Sequence, residues 1–295
     1  MTQERRAIQQ FDVGVRNAPV RPREWERLLA LEDSQALRTE GADVALVVQD
    51  GQLHLMFAFE SQDVLMMAFN PMWNAIADSL ADYPVPYVKL DLVSFTNREW
   101  LDPMLDAAGF LAFPEWMDLE HRTLAELAPP TVPDGLTILR TTEADFDRIV
   151  AIEADAYDDC SDGESATRAR LEAASWVGVL VEDGAIIGYA INMAADAQGT
   201  GRVISCAIDS EQWGRQLGQV MLGAATYQLA ATGAKQAVVR ARPDVPRSVP
   251  TAIACGYRPG RSGYELRRTL DEQAILDRIE ERRVAGVKVR FGRWH

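Results

Sequence analysis

The sequence predicts an α/β (α+β) chain made of two copies of one domain. Three observations carry that reading: a composition able to support a large core, segments that recur in the same order, and local signals that put like elements at like places. The 295 residues leave room for two domains of about 100–150 residues each. With 47% hydrophobic and 25% charged residues, the chain reads as globular rather than disordered or coiled coil. No apolar run approaches the roughly 18–20 residues that span a bilayer, and the charged start, residues 1–6, lacks the apolar stretch of a secretory signal. Cys160, Cys206 and Cys255 lie far apart, and His54, His121 and His295 are scattered. Neither a disulfide framework nor a metal site is expected, and a reducing cytoplasm is.

The net charge of −14 is uneven: residues 1–130 hold 10 basic against 21 acidic side chains, and residues 131–295 hold 20 against 23. Such a surface repels nucleic-acid backbones and favours a cationic partner such as an amine. The nearly balanced second half still has room for an anionic ligand.

Three pairs of segments recur in order. Leu28-Leu29-Ala30-Leu31-Glu32 matches Ile149-Val150-Ala151-Ile152-Glu153, Val48-Gln49-Asp50-Gly51 matches Val181-Glu182-Asp183-Gly184, and Ala108-Gly109-Phe110 matches Cys255-Gly256-Tyr257. Together they read as a duplication. Residues 25–31 and 146–154 carry apolar side chains at helical spacing. Asp50-Gly51 and Asp183-Gly184 each lie between apolar runs, which predicts hairpins, because glycine accepts the positive φ of a tight turn. Residues 88–95 and 237–242 read as strands leading into helices, with Gly109 and Gly256 where helix C-caps favour glycine. Charged strands around residues 117–120 and 264–267 close the copies, and residues 136–140 open the second as a strand. Residues 128–135, with prolines at 129, 130 and 133, are the expected linker, setting the domains at 1–130 and 131–295. Thr269 with Glu272 predicts a capping box for a terminal helix over 271–283. The basic tail 287–291 offers an edge to another subunit, leaving monomer and homodimer both open.

The copies part at one place. From Gly51 to Gly109 is 58 residues and from Gly184 to Gly256 is 72, and the excess falls on the strand-to-helix turn of the second copy. There the chain reads Ile208-Asp209-Ser210-Glu211-Gln212-Trp213-Gly214-Arg215-Gln216-Leu217-Gly218-Gln219, whereas the first copy offers Asn70-Pro71 as an ordinary helix start. A glycine-bearing loop that runs into a helix presents unpaired N–H groups and the positive end of the helix dipole, a cradle for phosphate. Arg215 would add charge. The asymmetry predicts one working site and one scaffold domain.

Residues 205–218 resemble the fourth strand, pyrophosphate loop and third helix of the GNAT acyltransferase superfamily, and Ala254-Cys255-Gly256-Tyr257 resembles the Gly-Phe that closes its motif B. The element order over 136–268 is similar to the family's, and residues 20–124 look like a second, eroded copy. The resemblance implies two GNAT-like domains, each a mixed, mostly antiparallel sheet flanked by helices. It implies N-acyltransfer, with acetyl-CoA or another acyl-CoA as co-substrate and the amine of a small molecule or peptide attacking the thioester directly. It also implies that the backbone of Cys206 and Ile208 pairs with the pantetheine arm. The N–H groups of Trp213, Gly214, Arg215, Gln216, Leu217, Gly218 and Gln219 would then hold the pyrophosphate.

The sequence departs from the family at several positions. Trp213 stands first in the loop, where the family usually has Gln or Arg, and Gln216 replaces the first glycine. The usual glutamate base falls on Arg202, and the Asn and Tyr of motif B fall on Val245 and Ala252, so the catalytic residues are unknown. Tyr264, Tyr227 and Cys206 are the substitutes, each with a plain core role as its alternative. Glu153, Asp155, Asp158, Asp159, Asp162 and Glu164 would line the acceptor side and suit a cationic amine, or form a solvated acidic loop. Pro243, Pro246 and Pro250 predict a late or distorted helix. Without catalysis, the same scaffold is a CoA-sensing or protein-interaction module.

Overall fold

The computed structural model describes residues 14–18, 22–31, 33–49, 52–83, 85–93, 100–125, 127–157 and 163–270. Asp50-Gly51, Asp158, Asp159, Cys160, Asp162, the terminal helix and the basic tail lie outside these residues. The first half runs β1 (Val15–Arg16), α1 (Pro22–Leu29), β2 (Gln35–Thr39), β3 (Ala42–Gln49), β4 (Gln52–Phe59), α2 (Gln62–Ala77), β5 (Tyr87–Val93), α3 (Asp102–Ala107) and β6 (Leu111–His121). The second runs β7 (Leu136–Arg140), α4 (Phe146–Tyr157), α5 (Glu164–Ala173), β8 (Trp176–Glu182), β9 (Ala185–Met193), β10 (Thr200–Ile208), α6 (Leu217–Ala231), β11 (Gln236–Ala241), α7 (Ser248–Ala254) and β12 (Arg258–Thr269).

The described strands join in one sheet ordered β2-β3-β4-β5-β12-β6-β11-β10-β9-β8-β7, with β1 against β4. The pairs β4–β5 and β10–β11 are parallel and the others antiparallel, the mixed, mostly antiparallel sheet expected. Strand alternation divides the faces. In β3, Val44 and Leu46 pack with Leu65, Phe69 and Trp73 of α2, while Ala45 and Val47 pack with Trp25 and Leu28 of α1. In the second half, α6 buries Leu217, Met221 and Ala225 on the first face. There α4 and α5 bury Ile149, Ile152 and Leu171 on the other. The proline-rich segment 128–135 packs on α6 at one point, where the Pro130 ring meets the bare backbone of Gly223.

The repeat is real, but its register moves by one hairpin. The parallel strand that follows a helix identifies β4–α2–β5 with β10–α6–β11. By that measure Glu40-Gly41 is the counterpart of Asp183-Gly184, and Asp50-Gly51 sits at the counterpart of the β9–β10 connection. Both true counterparts are two-residue turns, between Thr39 and Ala42 and between Glu182 and Ala185. Both glycines take positive φ, +79° at Gly41 and +81° at Gly184. From Gly41 to Gly109 is 68 residues, close to the 72 of the second copy. Asn70-Pro71 is not a helix start: Pro71 lies inside α2, whose N-cap is Ser61. Gly109 and Gly256 take positive φ after α3 and α7, as expected, and α7 does start late, at Ser248.

Each half gives its last strand to the other. β12 lies beside β5 in register from Gly263↔Val93 to Thr269↔Tyr87, β6 lies beside β11 from Ala237↔His121 to Ala241↔Met117, and β12 and β6 pair together. On the face shared by α1 and α4, these strands carry a band of ion pairs that cross between the halves. Lys89 meets Glu265 at 2.7 Å, and Arg240 meets Asp91 at 2.6 Å and Asp118 at 2.9 Å with its guanidinium 3.9 Å above the Trp116 ring. Removing one member of such a set strands the others, at a typical cost of 3–5 kcal/mol. Arg240→Ala should therefore lower stability by about 3 kcal/mol or more, and do so in one transition spanning both halves, which denaturant unfolding followed by two probes will show.

His54 pairs with Lys89 across β4 and β5. Burial first, and the Lys89 charge second, push its imidazole from 6.5 down to about 3, so the folded chain holds it neutral. The unfolded chain binds that proton near 6.5, and folding then has to release it. Stability should be full above pH 6.5 and fall progressively toward pH 3, and His54→Gln should flatten that limb of a denaturant-midpoint series against pH.

Candidate functional site

β10 and β11 pair only from Thr200↔Gln236 to Val203↔Val239. Beyond that point β10 runs on to Ile208 with a slot on its β11 side. The Asp209 N–H donates to Ile187 O of β9, so by alternation the backbone of Cys206 and Ile208 faces the slot. Both carbonyls already accept from side chains: Cys206 O from the Tyr157 hydroxyl at 3.1 Å and Ile208 O from Trp213 Nε1 at 2.9 Å.

At the outer end of the slot, residues 209–216 turn into α6. Three elements hold this loop. Asp155 of α4 accepts the Ser210 N–H at 3.0 Å, and the hydrogen bonds from Ser210 hold its carboxyl below the usual range. Glu182 of β8 grips both terminal nitrogens of Arg215, at 2.6 and 2.8 Å, and Arg148 pairs with Asp209. Gly214 takes φ +93° with open space where a side chain would stand, and Gln216, the helix N-cap, takes φ +61° without capping the helix through its side chain.

The N–H of Trp213 goes to Ser210 O and that of Gln219 to Gln216 O, so of the seven amides expected to face a ligand at 213–219 these two are engaged within the loop. The amides of Gly214, Arg215, Gln216, Leu217 and Gly218 have no acceptor among the described residues and form the helix mouth. Arg215, committed to Glu182, does not bring an uncompensated charge.

The first half has the same slot and has closed it. β4 pairs with β3 along its whole length and with β5 only at Leu53 and His54. On the edge thus exposed lies β1, Val15 opposite Phe59 and Arg16 opposite Ala58. The Asn17 carboxamide donates to Leu55 O at 2.8 Å and accepts from Phe57 N at 2.6 Å. Only Glu60-Ser61 joins β4 to α2, and Ser61 caps that helix by accepting the Val64 N–H at 3.2 Å.

Of the proposed catalytic substitutes, none meets at the slot as a set. Tyr227 lies ten residues into α6, about 15 Å from its mouth. Tyr264 shares the face of Leu266, over the core of the first half. Cys206 is half-buried among the α6 core residues, and burial, then the neighbouring Cys255 and Glu153, push its thiol up to about 12. Glu153 is no part of a solvated cluster. It is buried, pairs with Arg170 at 2.9 Å and accepts from Ser205 at 2.8 Å, whose hydroxyl also meets Tyr189. Glu164 pairs with Arg168. Tyr157, at the end of α4, is the hydroxyl that sequence reasoning passed over. Burial and the Glu153 charge raise its pKa, so it keeps its proton, and it points at the slot edge.

Left-handed backbone gives the loop a measurable signature. Gly214→Ala should cost about 1–2 kcal/mol, and Gln216→Gly should gain up to about 1 kcal/mol in thermal denaturation, because only the latter relieves a strained φ.

Residues 141–257 match the profile of the acetyltransferase (GNAT) family. No curated protein matches the chain. Among solved structures, a GCN5-related N-acetyltransferase from Kribbella flavida aligns over 84% of this chain and 94% of its own, at 18% identity and TM-score 0.57. A tandem GNAT protein from the clavulanic acid biosynthesis pathway aligns over 80% and 82%, at 13% identity and TM-score 0.54. A GCN5-related N-acetyltransferase from Sphaerobacter thermophilus aligns over 78% and 76%, at 13% identity and TM-score 0.54. Residues 141–257 thus match the GNAT acetyltransferase family, and the chain as a whole shares the fold of solved GNAT-type structures, a tandem one among them.

Proposed function

We propose that this chain is an N-acyltransferase that moves an acetyl or other acyl group from acyl-CoA to the amine of a small molecule or peptide. One contrast carries the reading: the second half keeps an open slot beside an uncapped helix mouth, while the first fills its slot with residues 15–18 and caps its helix with Ser61. In this reading residues 1–130 are the degenerate domain and 131–295 the coenzyme-binding one, working in the cytoplasm as a monomer or homodimer. No described helix is long and apolar enough to cross a membrane.

The chemistry follows from the elements. The diphosphate takes the amides of residues 214–218, where fixed N–H dipoles need no counter-charge. The pantetheine arm runs inward along β10, using the second lone pairs of the Cys206 and Ile208 carbonyls, and the thioester lies beside Tyr157. The neutral amine attacks the thioester carbon; the C–N bond forms, the C–S bond breaks, and the proton lost by nitrogen ends on sulfur. In this reading Tyr157 hands the thiolate its proton and recovers one from the amine. Proximity supplies much of the remaining acceleration. A second reading, a non-catalytic CoA-sensing or protein-interaction module, is favoured by Arg202, Val245 and Ala252 at the usual catalytic places.

The test uses the full chain, because β6 completes the second half. Calorimetry should find one acetyl-CoA per chain, and thiol release should appear with at least one acceptor in a panel of amines, amino acids, polyamines and peptides. Tyr157→Phe should keep that affinity and lose about 10²-fold or more in kcat. Binding with no thiol release on any acceptor selects the second reading in its CoA-sensing form, and no binding of acetyl-CoA removes both the transferase and the CoA sensor and leaves the protein-interaction module.

A further inference from the structure

A large aromatic ring left in solvent beside a row of amides without acceptors calls for a reason. Trp213 is 48% exposed, yet its bond to Ile208 O fixes the ring. The Arg247 guanidinium lies 5.3 Å from the ring centroid. Trp213 belongs to the loop after β10 and Arg247 to the segment between β11 and α7, so the pair meets across the outer end of the slot. The charges around it are uneven. Arg215 is held by Glu182 and Arg242 by Asp244, whereas Arg247 has no carboxylate partner among the described residues. In a chain of net charge −14, this is a cation without a carboxylate partner among the described residues, lying over an open indole on the loop that leads into the helix mouth.

We propose that Trp213 and Arg247 bind the nucleotide end of the acyl donor, the purine stacking on the indole–guanidinium pair and the Arg247 charge facing the phosphate on the ribose 3′ position. This rests on the acyl-CoA reading and narrows it. Phosphopantetheine thioesters carry the same reactive carbon, arm and inner phosphate but lack the purine and the 3′-phosphate. The platform therefore selects a nucleotide-bearing thioester over one carried on a shorter phosphopantetheine. Stacking of one base on an aromatic side chain typically corresponds to about 5- to 150-fold in affinity. An exposed stacked cation adds a smaller factor.

Calorimetry on the full chain with acetyl-CoA, acetyl-3′-dephospho-CoA and acetyl-4′-phosphopantetheine tests this. The wild type should bind them in that order of affinity, with at least about 10-fold between the first and the last. Trp213→Ala should lose most of that preference while holding acetyl-4′-phosphopantetheine as the wild type does, and Trp213→Phe, which keeps a ring, should retain part of it. Arg247→Ala should lose the discrimination between acetyl-CoA and its dephospho form, and Arg247→Lys should restore some. Equal wild-type affinity for all three thioesters overturns the platform and leaves the acyl-donor reading standing. So does a loss in Trp213→Ala that is the same for all three, since that marks a structural role for the ring. Absence of binding to any of the three by the wild type removes the acyl-donor reading and the platform with it.

Discussion

The exchange of β6 and β12 is the constraint from which the rest of the architecture follows. Each half would otherwise end at an open edge, β5 in one and β11 in the other, where unpaired backbone invites association. Crossing the terminal strands closes both edges at once and makes a single sheet of the two halves. On one face the register of that junction is pinned by charge, opposite the apolar face that carries Leu90, Leu266 and Leu119. Arg240 reaches from β11 to Asp118 on β6 and Asp91 on β5, and Lys89 meets Glu265. Paired charges of low exposure contribute little net stability, but a slipped register would strand them. The junction also sets where the slot lies: Arg240 is the first residue of β11 past its last pairing with β10, so the residue that locks the halves together stands where the strands begin to part.

The two slots show how one geometry is kept and cancelled in the same chain. A separated pair of parallel strands leaves backbone groups with no partner, and those groups must be satisfied. The first half satisfies them from its own chain, with β1 on the ladder and the Asn17 carboxamide acting as one more peptide unit on β4. It then shortens the strand-to-helix turn to Glu60-Ser61 and caps α2. The second half satisfies two slot carbonyls with removable side chains, Tyr157 and Trp213, and accepts a left-handed glutamine at the helix entrance. Strain and unmet amides persist there because the loop is tied from three sides, by Asp155, Glu182 and Arg148, a pattern that marks function more often than folding.

Much of this was legible in the residues. Apolar periodicity located α4, Gly109 and Gly256 marked the helix ends, and the glycine turn before α6 located the mouth. The slip of the repeat register has a physical cause. A two-residue turn with glycine at its second position is the signature of any tight hairpin, and each copy has two consecutive hairpins, so Asp50-Gly51 and Asp183-Gly184 match in chemistry without matching in place. The strand exchange had no local signal, because β6 and β12 satisfy the same alternation whichever neighbour they take. Glu153 read as one of many acids since its partner Arg170 stands a helix away. Tyr157 lies at a helix end with no motif around it, and only the third dimension brings it to Cys206.

On the proposed reading an acidic protein takes a polyanionic donor, an electrostatic problem on which the arrangement of its loops bears. A cluster of lysines at the mouth would have to be held apart against its own repulsion and would draw in the surrounding carboxylates, as Arg215 and Arg242 are drawn to Glu182 and Asp244. Amide dipoles avoid this. They carry no net charge, are fixed by the backbone, and recover their desolvation cost only when an anion arrives. Arg247, which meets a ring and no acid among the described residues, would then add direction without adding a partner to displace. The second half is nearly balanced in charge while the first is strongly acidic. The overall field can therefore serve a cationic acceptor while a few oriented groups serve the donor.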